Sequence, residues 1–270
     1  MPRLVFVVSR LVSVLCLAVL ALAVVFDTQA GRYTEGRIPA EFAKRLDPAL
    51  TGDYGNVFSV AHNAGDDLAA ATRAVAWGVD AIEIDVRSTG GELFASHDAQ
   101  IPLLEDIFFR GPTLADAWQV GQLRDTVLLH LKERSLPYLE HVRAFLLARP
   151  RRKLLVQTHE PSTLRWAKRR IPWARRLLLV FNDREVKALR TDPSRLAAAD
   201  GVSVRESLLT GAALSWLEAR RLTVVAWTVN DETRMNQLIA GGVQGLITER
   251  LDIMRLLGEG PEAATGTRPG

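Results

Sequence analysis

Residues 80–98 read DAIEIDVRSTGGELFASHD, and the fold turns on how Glu83 and Asp85 are placed in it. The run Ala81–Val86 alternates as a strand does, because successive side chains of an extended chain point to opposite faces. Ile82, Ile84 and Val86 share one face, and Ala81, Glu83 and Asp85 share the other. An apolar face of this kind suits a layer of covering helices, which turns the two acids inward. Burying an uncompensated carboxylate costs on the order of several kcal/mol. Two carboxylates about 7 Å apart along one strand face suit a hard divalent cation such as Mg²⁺ or Ca²⁺. After Thr89-Gly90-Gly91 a short strand, Leu93–Ser96, returns as a hairpin and delivers His97-Asp98.

The rest of the chain tells what kind of sheet holds that strand. Further strand candidates are Val57–Ala61, Thr126–Lys132, Lys153–Thr158, Arg176–Phe181, Gly201–Arg205, Leu222–Val229 and Gly245–Thr248. Helical patterns fill most gaps: Asp67–Trp77, Pro112–Trp118, Tyr138–Ala148, Pro161–Lys168, Arg184–Leu189, Gly211–Arg220 and Asp231–Ala240. Gly78 and Gly241 are placed as C-terminal caps and Asn230 as an N-cap. Repeated βα units make a parallel sheet, and eight of them in about 200 residues fit a (β/α)8, TIM-type barrel, expected to be distorted. No Gly-rich phosphate-binding signature follows the first strand to favour an open doubly wound sheet.

Composition narrows the function. The chain has 270 residues, 48% of them hydrophobic, with a net charge of +3, enough for one large core. Arginine clusters at 149–153 and 168–176 account for much of the positive excess. They read as solvated faces of barrel helices and loops, and with no nucleic-acid motif beside them no nucleic-acid partner is expected. Cys16 is the single cysteine, which excludes an internal disulfide and a cysteine metal site. Arg3 and Arg10 precede the uncharged run Leu11–Phe26. A positive flank and an apolar run read equally as a signal peptide or as a hydrophobic membrane-anchoring helix over 1–30. Both place the remainder outside the cytoplasm, membrane-anchored or secreted. Residues 31–54 read as a linker with a short helix near 41–46, 55–257 as the barrel, and 258–270 as a disordered tail.

Catalytic groups of such barrels gather at the C-terminal ends of the strands. His62 ends the first strand, and His130 and Lys132 alternate on one face of the third major strand. Gln157 and His159 flank the end of the next, Trp227 and Asn230 lie at the end of AWTVN, and Glu249 follows GLIT. His141 and His159 read as surface or structural residues.

These residues resemble the glycerophosphodiester phosphodiesterase family, phosphoric diester hydrolases built on distorted (β/α)8 barrels. The likeness is carried by AHNAG (61–65), GVDAIEIDV (78–86), HD (97–98), PTLADAW (112–118), HLK (130–132), AWTVN (226–230) and GGVQGLITE (241–249). It implies divalent-metal-dependent cleavage of glycerol-linked phosphodiesters. It implies Glu83 and Asp85 as metal ligands, His62 and His97 as paired acid and base, Lys132 on the phosphate and Trp227 as an aromatic wall. The chain departs from the family where Asn63 replaces the arginine that grips phosphate, and where His130 replaces a carboxylate. His130 as a third ligand moves the metal preference from Mg²⁺ or Ca²⁺ toward Mn²⁺ or Zn²⁺, and Asn63 still offers hydrogen bonds. The stretch between HD and PTL is also shorter than the family's insertion, and the Asn-Thr signature after the first histidine is missing. The open site would suit a bulky or membrane-borne substrate, and the partner expected is a small-molecule or a lipid phosphodiester. The alternatives are sphingomyelinase D- or phospholipase D-like headgroup cleavage, or a membrane-tethered, non-catalytic phosphodiester-binding barrel.

Overall fold

The computed structural model describes residues 57–97 and 111–259. The apolar run Leu11–Phe26, the linker, Asp98 and the chain after Glu259 lie outside the described residues. None of the described helices is long and apolar enough to cross a membrane.

Nine strands are described: β1 (Phe58–Ala61), β2 (Ala81–Thr89), β3 (Glu92–Ala95), β4 (Thr126–Leu131), β5 (Lys153–Thr158), β6 (Arg175–Val180), β7 (Gly201–Arg205), β8 (Thr223–Trp227) and β9 (Gly245–Thr248). Eight run parallel in the order β1-β9-β8-β7-β6-β5-β4-β2, and β1 pairs again with β2 through Val60↔Ala81 and Ala61↔Ile82. The sheet thus closes on itself as a TIM-type barrel. β3 is antiparallel to the outer half of β2, the hairpin expected from Thr89-Gly90-Gly91, where both glycines take positive φ. Strand β2 outruns its expected end at Val86 by three residues, because β3 pairs with that extension.

Period-two alternation sorts the side chains. Inside the barrel Val60, Ala81, Leu128, Leu155, Leu177, Val225 and Ile247 form an apolar plug, with Phe58 and Trp227 packed against it. The outward residues, such as Ile82, Ile84 and Val86 of β2, are fully buried beneath helices. Those helices are α1 (Leu68–Ala76), α2 (Leu114–Gly121), α3 (Leu136–Leu147), α4 (Pro161–Arg170), α5 (Asp183–Thr191), α6 (Gly211–Glu218), α7 (Glu232–Ala240) and α8 (Leu251–Glu259).

Local chemistry starts and stops these helices. Asp67 caps α1 by accepting a 2.8 Å hydrogen bond from the Ala70 N–H, and Thr113, Asn182 and Thr210 act likewise on α2, α5 and α6. At α7 the cap is Asp231, whose side chain accepts from the Arg234 N–H at 2.7 Å. Asn230, the residue expected there, is drawn instead to Glu249. Gly78 takes the left-handed conformation after α1 as expected, but after α7 that position is held by Gly242, one residue beyond Gly241. Helix α8 was not expected from the sequence, and it reaches two residues into the stretch read as a tail. Its Leu251, Ile253, Met254 and Leu257 are buried across both outer clusters, so packing rather than a long periodic pattern makes it a helix.

Candidate active site

Counting up from the plug by twos gives the lining of the barrel mouth. His62 stands above Val60, Glu83 and Asp85 above Ala81, and His130 and Lys132 above Leu128. Gln157 and His159 follow Leu155, Phe181 lies beyond Leu177, Arg205 beyond Gly201, Trp227 above Val225 and Glu249 above Ile247. Glu83 and Asp85 stand mid-strand, where β2 runs on past the barrel wall to pair with β3, and the others are at or near the C-terminal ends of their strands.

One side of the mouth is an acid cluster. Glu83 and Asp85 are 3% and 0% exposed, as the alternation requires. In register across the sheet, Asp85 faces His130, and His130 faces Gln157. His130 Nδ1 lies 2.8 Å from Asp85 Oδ1 and 3.8 Å from Glu83 Oε1, and Lys132 Nζ lies 3.1 Å from Asp85 Oδ2. Gln157 Nε2 donates to Glu83 Oε1, and the Asn63 backbone N–H donates to Glu83 Oε2 at 3.3 Å. Asn63 itself is buried, in a left-handed conformation with φ 50°. Behind the cluster Asp66, also buried, accepts the Asp85 N–H at 3.2 Å. Gly65 lets that turn press on β2: a Cβ there would stand 2.4 Å from Ile84 Cγ1 and 3.0 Å from the Glu83 carbonyl oxygen.

The charges in the cluster are not equivalent. Burial pushes Asp85 up, but Lys132 and His130, with a smaller share from His97, hold it well below the usual carboxylate range. Glu83 and Asp66 move the other way, because burial outweighs the cations near them. Burial also lowers His130, favouring the neutral imidazole that ligates metals. Glu83, Asp85 and His130 each offer a donor atom, all within 4.8 Å of one another. Two carboxylates and one neutral imidazole fit a divalent cation of the Mn²⁺ or Zn²⁺ type and still accept Mg²⁺.

Across β1 stands the first histidine. His62 Nδ1 donates to Glu249 Oε1 at 3.0 Å. Asn230 donates its amide to Glu249 Oε2 at 2.9 Å and accepts from Thr248 Oγ1 and the Glu249 N–H. Burial draws the His62 pKa down, but the Glu249 hydrogen bond, with the charges of Glu83, Glu249 and Asp85, outweighs it and leaves it raised. The second histidine, His97, follows β3. Arg87 Nη2 donates to its carbonyl oxygen at 3.0 Å. Glu133 locks the same hairpin by accepting from the Ser88 N–H and Oγ at 2.7 and 3.1 Å. Glu133 therefore faces away from the cluster, as its position one residue past Lys132 requires.

The opposite rim is aromatic. Trp227 meets Phe181 edge-on at 5.2 Å, Phe181 meets His159 at 6.2 Å, and the Arg205 guanidinium lies 5.6 Å from the Trp227 ring. His159 is exposed at this rim. Glu249 and Gln157 were visible in the sequence as strand-end polar residues without a role. Asp66, Arg87 and Arg205 carried no such signal, since each depends on a partner distant in the chain.

A closed (β/α)8 barrel with a buried Glu/Asp/His cluster and a carboxylate-held histidine at its C-terminal mouth has the architecture of a metal-ready hydrolase. The sequence profile of the glycerophosphoryl diester phosphodiesterase family matches residues 91–253, and the chain belongs to that family. It is a phosphoric diester hydrolase acting on glycerophosphodiesters. Among solved structures, an Oleispira antarctica phosphodiesterase in complex with the product sn-glycerol-3-phosphate is 20% identical with a TM-score of 0.57, covering 77% of this chain and 96% of its own. A glycerophosphodiester phosphodiesterase from Parabacteroides distasonis is 18% identical, TM-score 0.57, covering 77% and 97%. One from Thermotoga maritima is 17% identical, TM-score 0.54, covering 73% and 96%. At these identities the structures speak for the fold. No curated protein sequence matches the chain.

Proposed function

We propose that the chain hydrolyses glycerophosphodiesters to glycerol 3-phosphate and an alcohol, with a divalent metal held by Glu83, Asp85 and His130 and with His62 and His97 as the acid–base pair. The observation that carries this reading is the buried, mutually close donor set of Glu83, Asp85 and His130 beside Lys132. A divalent ion bound there supplies polarisation of a phosphoryl oxygen and neutralises charge that builds at phosphorus.

The chain's own groups do the rest. Glu249 takes the Nδ1 proton of His62 in a hydrogen bond, so Nε2 is the atom that exchanges a proton with water or leaving group. Glu249 also steadies the imidazolium, which suits a group that must hold a proton and give it up. On this reading His97, at the end of the hairpin that Glu133 and Arg87 anchor, is the other member of the pair. Lys132 gives a fixed positive centre for a non-bridging oxygen. Asn63 contributes hydrogen bonding in place of a cation, and Trp227 with Phe181 walls the alcohol side. The product bound by the Oleispira structure has the same glycerol phosphate chemistry.

On the same reading the run Leu11–Phe26 makes the enzyme extracytoplasmic, anchored or secreted. The test is release of glycerol 3-phosphate from a set of glycerophosphodiesters by chelator-stripped protein titrated with Mg²⁺, Ca²⁺, Mn²⁺ and Zn²⁺. Metal-restored release is expected. Equal turnover with and without metal, or none with any, sinks the reading. His97→Asn should abolish turnover while leaving metal binding in place.

A further inference from the structure

The face opposite the mouth carries a patch that catalysis does not use. In a parallel barrel every helix-to-strand connection lies at the N-terminal end of the strands, so residues 122–125, 148–152 and 171–174 share that floor. Between His141 and Asn182 the chain holds eleven Lys and Arg and one acid, Glu160. Glu160 stands before the start of α4, on the mouth side. Arg151, Lys153, Lys168, Arg169, Arg170 and Arg175 are exposed at the floor, where Asp125 is exposed at the edge of their patch and Asp192 and Glu218 are exposed farther around the ring.

Apolar groups stand among these cations. Leu123 and Leu147 are 67% and 49% exposed, two of the four large hydrophobics left so open among the described residues. Trp173 is half-buried with the Arg151 guanidinium 4.8 Å from its ring, and Arg149 lies 3.4 Å over Phe145. Hydrogen bonds make the loops one surface: Arg152 Nη1 donates to the Arg124 carbonyl at 3.1 Å and Arg143 Nε to the Arg170 carbonyl at 3.4 Å.

Cations attracted to headgroup phosphates and leucine and tryptophan side chains that enter the boundary beneath them make up an interfacial surface. Nucleic acid would satisfy the cations but leave the leucines without a partner. We infer that this floor docks on a lipid membrane bearing anionic headgroups, and that docking turns the mouth away from the bilayer toward water-soluble glycerophosphodiesters. The orientation rests on the mouth being the phosphodiester site; the docking does not.

The test is flotation of the full chain with phosphatidylcholine vesicles with and without phosphatidylglycerol, at low and high salt. The ratio of binding to the two compositions isolates the floor from any insertion of the apolar run, which both compositions share. The wild-type protein should prefer anionic vesicles, with the preference lost at high salt. The combined change Arg151→Gln, Lys153→Gln, Arg169→Gln and Arg175→Gln should lower that preference by about 1,000-fold, with turnover of soluble substrate unchanged. Leu123→Ser with Leu147→Ser should weaken binding to both vesicles about tenfold. No preference in the wild type, a preference kept by the fourfold variant, or tighter capture by duplex DNA at the same salt overturns docking. Vesicle-bound enzyme should hydrolyse glycerophosphodiesters in the surrounding water at the free rate and leave the bilayer's own headgroups uncut. Attack on those headgroups overturns the orientation.

Discussion

The two ends of this barrel use charge in opposite ways. At the mouth, Glu83, Asp85 and His130 point inward and are buried, His62 and Glu249 are partly buried beside them, and opposite charges meet: Asp85 with His130 and Lys132, His62 with Glu249. At the floor, cations point outward into solvent, and the buried exception, Arg176, is tied to the frame. Its Nε donates to the Ala198 carbonyl at 2.9 Å, Nη1 to that of Ala174 at 2.7 Å, and Nη2 to Asp200 at 2.7 Å. Inward charge is expensive to bury and is kept where it can act on a ligand; the Arg176 clamp is satisfied wholly by the protein. Mouth substitutions should therefore cost activity and floor substitutions stability or surface binding.

The largest effect expected is at Glu83. Glu83→Ala removes one of three close donors and should cut kcat/KM by about 10³-fold or more, ~4 kcal/mol of transition-state stabilisation. Calorimetry should show metal binding lost with the circular dichroism spectrum intact. Turnover near wild type would break the comparison at its strongest point. Next comes the floor: Arg176→Ala should lower folding stability by about 3 kcal/mol by stranding Asp200 and two carbonyls. Denaturant titration checks this, and kcat of the folded fraction should not move.

Glu249→Gln sharpens the mouth side, with an expected loss in kcat of about 30-fold, ~2 kcal/mol. The sign of its pH effect follows from the contact. The Glu249 hydrogen bond raises His62 against the lowering effect of burial, so neutralising Glu249 lowers the His62 pKa. The limb of the pH–rate profile set by His62 should move to lower pH, whether it serves as base or acid, and Glu249→Asp should restore part of the rate. The smallest effect is in metal choice. His130→Glu restores a third carboxylate and should shift preference from Mn²⁺ or Zn²⁺ toward Mg²⁺ or Ca²⁺ by about tenfold. Parallel metal titrations of both proteins read it directly.

How much of the site was legible depended on distance along the chain. Glu83, Asp85, His62, His130, Lys132 and Trp227 stood out because each falls on the inward phase of a strand, a pattern within a few residues. His97 was marked by the glycine turn before it. The partners were not legible: Glu249 lies 187 residues from His62, and Glu133 lies 45 from Ser88. Asn230 was read as a helix cap because capping is a local rule, but its side chain is captured by Glu249, and the adjacent Asp231 takes the cap. Helix α8 lacked a periodic signal long enough to declare itself, and the barrel wall supplied what propensity did not.

By itself the sequence determined the eight-fold βα alternation, the inward phase of the two acids and the kinship, because side-chain period and turn chemistry act over a few residues. Only the tertiary structure decided which charge answers which, since closing the sheet brings β9 beside β1 and β4 beside β2. Closure also decided that one rim gathers imidazoles and carboxylates while the other gathers arginine and leucine. The loops at each rim are remote in sequence, and they become one surface only when all strands run the same way around a closed ring.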